Sequence, residues 1–146
     1  MKNYLVVGNP IYHSLSPQLH NHWIKQNNIN AVYEKKKLNH SKLENLILKL
    51  KQENITGVNL TVPFKNAIIP YLDELSDEAK KTQSVNTIYL KNKKVIGHNT
   101  DIAGFEEAIK KINFDFNNKK IFILGCLLYT SPSPRDLSTS RMPSSA

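Results

Sequence analysis

Cysteine is almost absent, since Cys126 is the single one among 146 residues, and disulfides and cysteine-based metal sites are thereby excluded. Arginine is missing from residues 1–125, and the lysines behind the net charge of +8 are scattered except at Lys35-Lys36-Lys37. That run suits a solvated strand end or loop better than a polyanion patch. Aromatic and basic residues do not interleave on one face, so no nucleic-acid partner is expected. No apolar run approaches about 18 residues, which argues against a membrane span. The first residues enter a strand pattern without the layout of a signal peptide, and a cytoplasmic protein is expected. His13, His20, His22 and His40 form no metal pattern: His20 and His22 are two apart on a helix and face different ways.

What is present changes character near residue 125. Residues 1–125 hold 18 lysines, 17 asparagines and 14 isoleucines. Residues 126–146 hold two arginines, six serines and three prolines, with no lysine, asparagine or isoleucine. The tail looks like another reading frame, a Ser/Pro-rich linker being the alternative. It lacks the periodicity and apolar content to pack, so disorder is expected there.

The chain before that seam alternates strand and helix patterns. Tyr4-Leu5-Val6-Val7 is a buried-strand candidate closed by Gly8-Asn9-Pro10. Ser16-Pro17 reads as an N-cap followed by proline at the first helical position, with Leu19, Trp23 and Gln26 marking the helix's facing. Ser14 lies two residues before that helix, where its hydroxyl serves either turn chemistry or an anionic ligand. Ala31-Val32-Tyr33-Glu34 with the lysines after it predicts a second strand. Ser41 and Glu44 form a capping box for a helix whose Leu43, Leu46, Ile47 and Leu50 make one apolar stripe.

The stretch from Gly57 to Lys65 is the centre of the reading. A short apolar strand is stopped by Pro63, so Lys65 is presented at a strand's carboxyl end, the edge where open α/β sheets bind ligands. Asn59, Thr61 and Lys65 are expected to converge on a pocket, since alternate strand residues share a face. Beyond it, Pro70 interrupts a short helix, and Ser76-Asp77-Glu78 opens another with Asp77 in its first turn as a partner for the helix dipole. Two strands flank a hairpin turn at Lys91-Asn92-Lys93. Asp101 is by local reasoning the N-cap of a helix with Ile102, Phe105, Ile109 and Ile112 at helical spacing, and with Glu106/Lys110 and Glu107/Lys111 as i, i+4 pairs. Residues 119–125 predict a strand ending on Gly125, the way a dinucleotide-binding unit opens, although no further glycine follows.

Four stretches together carry a resemblance: Gly8-Asn-Pro-Ile-Tyr-His-Ser14-Leu-Ser16-Pro17-Gln-Leu-His-Asn21, Gly57-Val-Asn-Leu-Thr-Val-Pro-Phe-Lys65, Ser84-Val-Asn86-Thr87 and Gly97-His-Asn-Thr-Asp101-Ile-Ala-Gly104-Phe. Over residues 1–125 the chain resembles shikimate dehydrogenase. The resemblance implies an NADP-dependent oxidoreductase that reduces 3-dehydroshikimate to shikimate in aromatic amino acid biosynthesis. It implies an α/β fold: a three-layer substrate domain with a mostly parallel sheet over residues 1–100, then a connecting helix and the first strand of an incomplete Rossmann domain over 101–125. The tail over 126–146 departs from the family. By the same resemblance Ser14 and Ser16 hold the substrate carboxylate, and Thr61 and Asn86 bond the ring hydroxyls. Lys65 is the catalytic lysine and Asp101 its catalytic partner and a hydroxyl ligand. Asp77 and Gly125 fall on the cofactor side, but the glycine-rich phosphate loop that should start at Gly125 is missing.

The chemistry calls for these residue types. A ketone that accepts hydride gathers negative charge on oxygen, which a nearby ammonium stabilises while delivering a proton. The cofactor supplies the hydride. A complete cofactor domain would need on the order of 100 to 150 further residues, so the piece by itself is expected to be inactive. A homodimer is possible in the full-length form. A quinate/shikimate dehydrogenase and a non-catalytic shikimate-binding module are the alternatives.

Overall fold

A computed structural model describes residues 1–112 together with Phe114, Asp115 and Lys120. The strand expected over 119–125, Gly125 and the tail from Cys126 lie outside the described residues. Two compact units are distinguished, Met1–Phe114 and Asp115–Ala146, and only Asp115 and Lys120 of the second are described.

The first unit is a six-stranded sheet in the order β2-β1-β3-β5-β6-β4. Strand β1 (Lys2–Gly8) pairs in parallel with both β2 (Ala31–Lys37) and β3 (Gly57–Leu60). Strands β5 (Thr87–Lys91) and β6 (Lys94–His98) form an antiparallel hairpin, β5 runs antiparallel to β3, and the two-residue β4 (Glu74–Leu75) lies parallel to β6. The sheet is therefore parallel on its β1 side, and the hairpin introduces the antiparallel pairs. The edge strand β2 carries Lys35, Lys36 and Lys37, all exposed, which blunts that edge against pairing with another chain.

Alternation along β1 sorts the molecule into layers. Leu5 and Val7 point into a large cluster that receives Leu43, Leu46, Ile47 and Leu50 of α2 (Leu43–Lys51), together with Phe64, Val85, Ile88 and Val95. Val6 points the other way, into a smaller cluster with Ile11 and Tyr33 against which Tyr4 and Ile24 of α1 (Ser16–Gln26) pack. Helices thus cover both faces. Helix α1 is tied to the edge strand by Asn21, whose Nδ2 donates to the Tyr33 carbonyl at 2.8 Å while its Oδ1 accepts from the Tyr33 N–H at 2.9 Å.

Local expectations fail where tertiary contacts take over. Helix α1 starts at Ser16 with Leu15 in the cap position and no side-chain cap bond, so Ser16 is inside the helix and not its N-cap. Leu19 and Trp23 do not turn inward; both stay about half exposed, and Ile24 makes the contact with the sheet. The Ser41/Glu44 capping box does not form. Ser41 belongs to a 3-10 turn over His40–Lys42 that precedes α2, and Lys42 holds the cap position without a side-chain bond. The short helix around Pro70 splits into α3 (Phe64–Ala67) and a 3-10 turn (Ile69–Tyr71). Helix α4 (Asp77–Thr82) is capped as expected, Ser76 Oγ accepting from the Ala79 N–H at 3.2 Å. On α5 (Asp101–Lys111) no residue is buried, and within the helix Lys110 pairs with Glu107 at i, i+3 rather than with Glu106 at i, i+4. Among the described residues no helix is long and apolar enough to cross a membrane.

Candidate active site

The site is assembled on the segment that leaves β3. Leu60 closes the strand with its N–H on the Asn86 carbonyl at 2.8 Å, and the Thr61 N–H donates to the Val7 carbonyl at 3.0 Å. Phe64, fully buried, anchors the first turn of α3 and sets Lys65 beside it. The Lys65 carbonyl accepts from the Val85 N–H at 2.8 Å, which fastens the 84–87 stretch to the same place. Thr61 and Lys65 thus both lie beyond the end of β3, so alternation along the strand does not bring Asn59, Thr61 and Lys65 to one pocket.

Lys65 Nζ lies 2.7 Å from Asp101 Oδ2, the two side chains being 18% and 32% exposed. Thirty-six residues separate them in sequence. The other carboxylate oxygen, Oδ1, accepts from Asn86 Nδ2 at 2.8 Å. Charge-assisted bonds in such a partly dry setting are stronger than neutral ones and hold both partners in one geometry.

Asp101 is not the N-cap that its local sequence suggests. Thr100 occupies the cap position of α5, and the oxygen that accepts from the helix's first N–H groups belongs to Asn99: Oδ1 takes the Asp101 N–H at 2.9 Å and the Ile102 N–H at 3.4 Å. Asn99 is buried, its Nδ2 donating to the Ser84 carbonyl at 2.9 Å and to Thr82 Oγ1 at 3.4 Å. Thr100 is engaged with Asn86, accepting from its Nδ2 at 2.8 Å and giving its own N–H to Oδ1 at 3.0 Å.

Asn59 is engaged in hydrogen bonds within the sheet and does not line the cavity of Ser14, Ser16 and Thr61. Its Oδ1 accepts from the Tyr33 hydroxyl at 2.7 Å, and its Nδ2 donates to the Asn86 carbonyl at 3.2 Å and Thr87 Oγ1 at 3.0 Å. Thr87 Oγ1 donates on to Asn86 Oδ1 at 3.1 Å. A continuous polar chain therefore runs from Tyr33 through Asn59, Thr87 and Asn86 to Asp101 and Lys65. Burial pushes the Tyr33 phenol up to about 12. His20 stacks on the Tyr33 ring at a centroid distance of 4.2 Å, and burial lowers its pKa.

Ser14, Ser16 and Thr61 line a cavity of about 330 Å³ with Val6, Pro10, Ile11 and His13, a lining that includes none of Lys65, Asn86 and Asp101. Ser14 Oγ accepts from the Ser16 N–H at 3.3 Å, so both serines lie at the amino end of α1, the end of a helix that favours an anion. Thr61 belongs to this cavity and Lys65 to the ion pair, four residues apart on the same segment. Asp77 joins neither: it is 84% exposed in the first turn of α4, with Lys80 Nζ 3.6 Å away. Among the described residues no cluster of three or more metal-ligating side chains occurs. Asn99, Thr87 and Tyr33 escape sequence reasoning. Asn99 and Thr87 stand inside stretches that carry the resemblance, and a cap-competent residue type two positions before Asp101 is the signal that could have found Asn99.

The sequence and the fold match known proteins. The sequence model of the shikimate dehydrogenase substrate binding domain matches residues 6–88. The shikimate dehydrogenase (NADP(+)) of Pelagibacter ubique is 58% identical over 124 residues, covering 85% of this chain and 47% of that protein. The crystal structure of shikimate dehydrogenase 1 from Peptoclostridium difficile aligns with a TM-score of 0.73 at 37% identity, over 79% of this chain and 43% of that one. Shikimate 5-dehydrogenase from Thermus thermophilus, solved with NADP(H) and shikimate, aligns with a TM-score of 0.72 at 33% identity, over 79% and 44%. The chain spans less than half the length of these relatives. With more than half of its own residues inside the matched domain, the chain belongs to the shikimate dehydrogenase substrate-binding domain family.

Proposed function

We propose that this chain is the substrate-binding and proton-handling part of an oxidoreductase that reduces 3-dehydroshikimate to shikimate with NADPH in aromatic amino acid biosynthesis. The observation that carries this reading is the 2.7 Å contact between Lys65 and Asp101 with Asn86 on the second carboxylate oxygen. In this reading Ser14 and Ser16 hold the substrate carboxylate in the cavity they share with Thr61, while Thr61, Asn86 and Asp101 bond the ring hydroxyls. The Lys65 ammonium stabilises the charge that gathers on the reacting oxygen and passes it a proton. Asp101 keeps the ammonium aimed.

NADPH, when bound, supplies the hydride. The described residues offer no cradle for it: Asp77 is an exposed carboxylate engaged with a lysine, and Gly125 lies outside them. No step is therefore derived through the dinucleotide. We assign its binding, with Gly125 at the first turn, to a domain that begins within 101–125 and continues in the family's longer members, where a homodimer is also expected. The cytoplasm is the proposed compartment.

Two measurements test the reading. Calorimetric titration of the 146-residue chain with shikimate should show binding that Ser14→Ala and Ser16→Ala weaken about tenfold each, the loss of one charge-assisted bond. Joining residues 1–112 to the cofactor half of the Pelagibacter ubique relative should give an active enzyme, in which Lys65→Ala lowers kcat by about 10² to 10⁴. Near-normal turnover of that variant would end the assignment. Binding without turnover in the joined protein would favour a non-catalytic shikimate-binding module.

A further inference from the structure

An α-helix begins with N–H groups that have no partner inside the helix, and an acceptor must be found for them. Helix α5 opens on three consecutive residues, Asn99, Thr100 and Asp101, that are all able to supply it. Two of the three are committed elsewhere. The Thr100 hydroxyl is held between the amide atoms of Asn86, and the two Asp101 oxygens are taken by Lys65 and Asn86. Asn99 Oδ1 is the remaining acceptor, and it meets both the Asp101 and the Ile102 N–H. Its orientation is locked from the other side, because a flipped amide would turn its N–H₂ onto the helix N–H groups and its oxygen onto the Ser84 carbonyl.

We propose that Asn99 is the positioning residue for the Lys65–Asp101 pair: by capping α5 it frees the Asp101 carboxylate to face Lys65 and Asn86. The inference deepens the function proposed above and rests on its assignment of those two residues. Without the Asn99 oxygen, the nearest anionic acceptor for the positive end of α5 is Asp101 itself, and a negative group there is favoured. The carboxylate that turns back to its own helix is lost to Lys65. Asn99 acts through Asp101 and touches no substrate atom.

The through-hydrogen-bond NMR coupling between Lys65 Nζ and the Asp101 carboxyl carbon, measured on the whole 146-residue chain without ligand, tests this directly. Asn99→Ala should reduce the coupling at least twofold, whereas Asn99→Ser and Asn99→Asp, which return a cap oxygen, should retain it. Shikimate titrated into the same samples should bind about tenfold more weakly only to Asn99→Ala, the size of a lost cap or charged hydrogen bond. A folded Asn99→Ala protein with its coupling intact overturns the proposal. If that variant does not fold, Asn99→Ser and Asn99→Asp decide: coupling kept supports the proposal, and coupling lost in folded protein overturns it. Absence of shikimate binding to the unsubstituted chain counts against the proposed function alone, since the coupling is read without ligand.

Discussion

Gly8 closes β1 where a side chain cannot go: a Cβ there would lie 2.4 Å from Thr61 Cγ2, 3.0 Å from Ile11 Cδ1 and 3.2 Å from the Val62 carbonyl oxygen. The crowding is what brings Thr61 against the cavity lined by Ser14 and Ser16. Gly8→Ala should displace Thr61 and weaken shikimate binding by about tenfold, with a stability loss of about 1–3 kcal/mol from overpacking, read by calorimetry and urea unfolding. His20 provides the pH signature at the same scale. Burial beside Tyr33 lowers its pKa from 6.5, so the unfolded chain takes up a proton more readily than the folded one. Its contribution is intact above the unfolded value and declines as the pH falls through it. His20→Phe, which keeps the stack on Tyr33, should therefore flatten the fall in melting temperature between about pH 7 and about pH 5. An unchanged slope would contradict the assignment.

Among the elements, the β5–β6 hairpin shows local sequence and tertiary pairing in agreement. Lys91 pairs with Lys94 across a two-residue turn whose Asn92 and Lys93 have φ of 51° and 63°. Asparagine tolerates that conformation and lysine does not. Lys93→Gly should raise stability by up to about 1 kcal/mol by removing the left-handed strain, measured by chemical denaturation. Helix α2 was equally legible, its four expected apolar positions all being buried. Helix α5 was not, because an amphipathic spacing tells which residues share a face and leaves open what covers that face. The capping box at Ser41 failed for a related reason: the rule sees residue types at the correct spacing, while the burial of Leu43 and the preceding 3-10 turn set where the helix begins.

At the scale of the whole molecule, the chain spans less than half the length of the curated relatives it matches. Phe105 is 60% exposed and Ile112 is 69% exposed on α5. Because neither packs against the sheet, Phe105→Gln should change the unfolding free energy of the 146-residue chain by no more than about 0.5 kcal/mol, against about 3–5 kcal/mol for truncating the fully buried Phe64 to alanine. Urea melts of the two variants check the contrast, and equal losses would mean that α5 is packed.

Read alone, the sequence determines the strand and helix periods and the short motifs in which Ser14, Ser16, Thr61, Lys65, Asn86 and Asp101 stand. These are local properties, written in spacing and residue type. Tertiary contacts settle which groups meet: Lys65 with a carboxylate thirty-six positions away, Asn59 with Tyr33, and Asn99 in place of Asp101 at the head of α5. Each of those outcomes is a competition for a hydrogen-bond partner between segments distant along the chain, and a window of neighbouring residues does not contain the competitors.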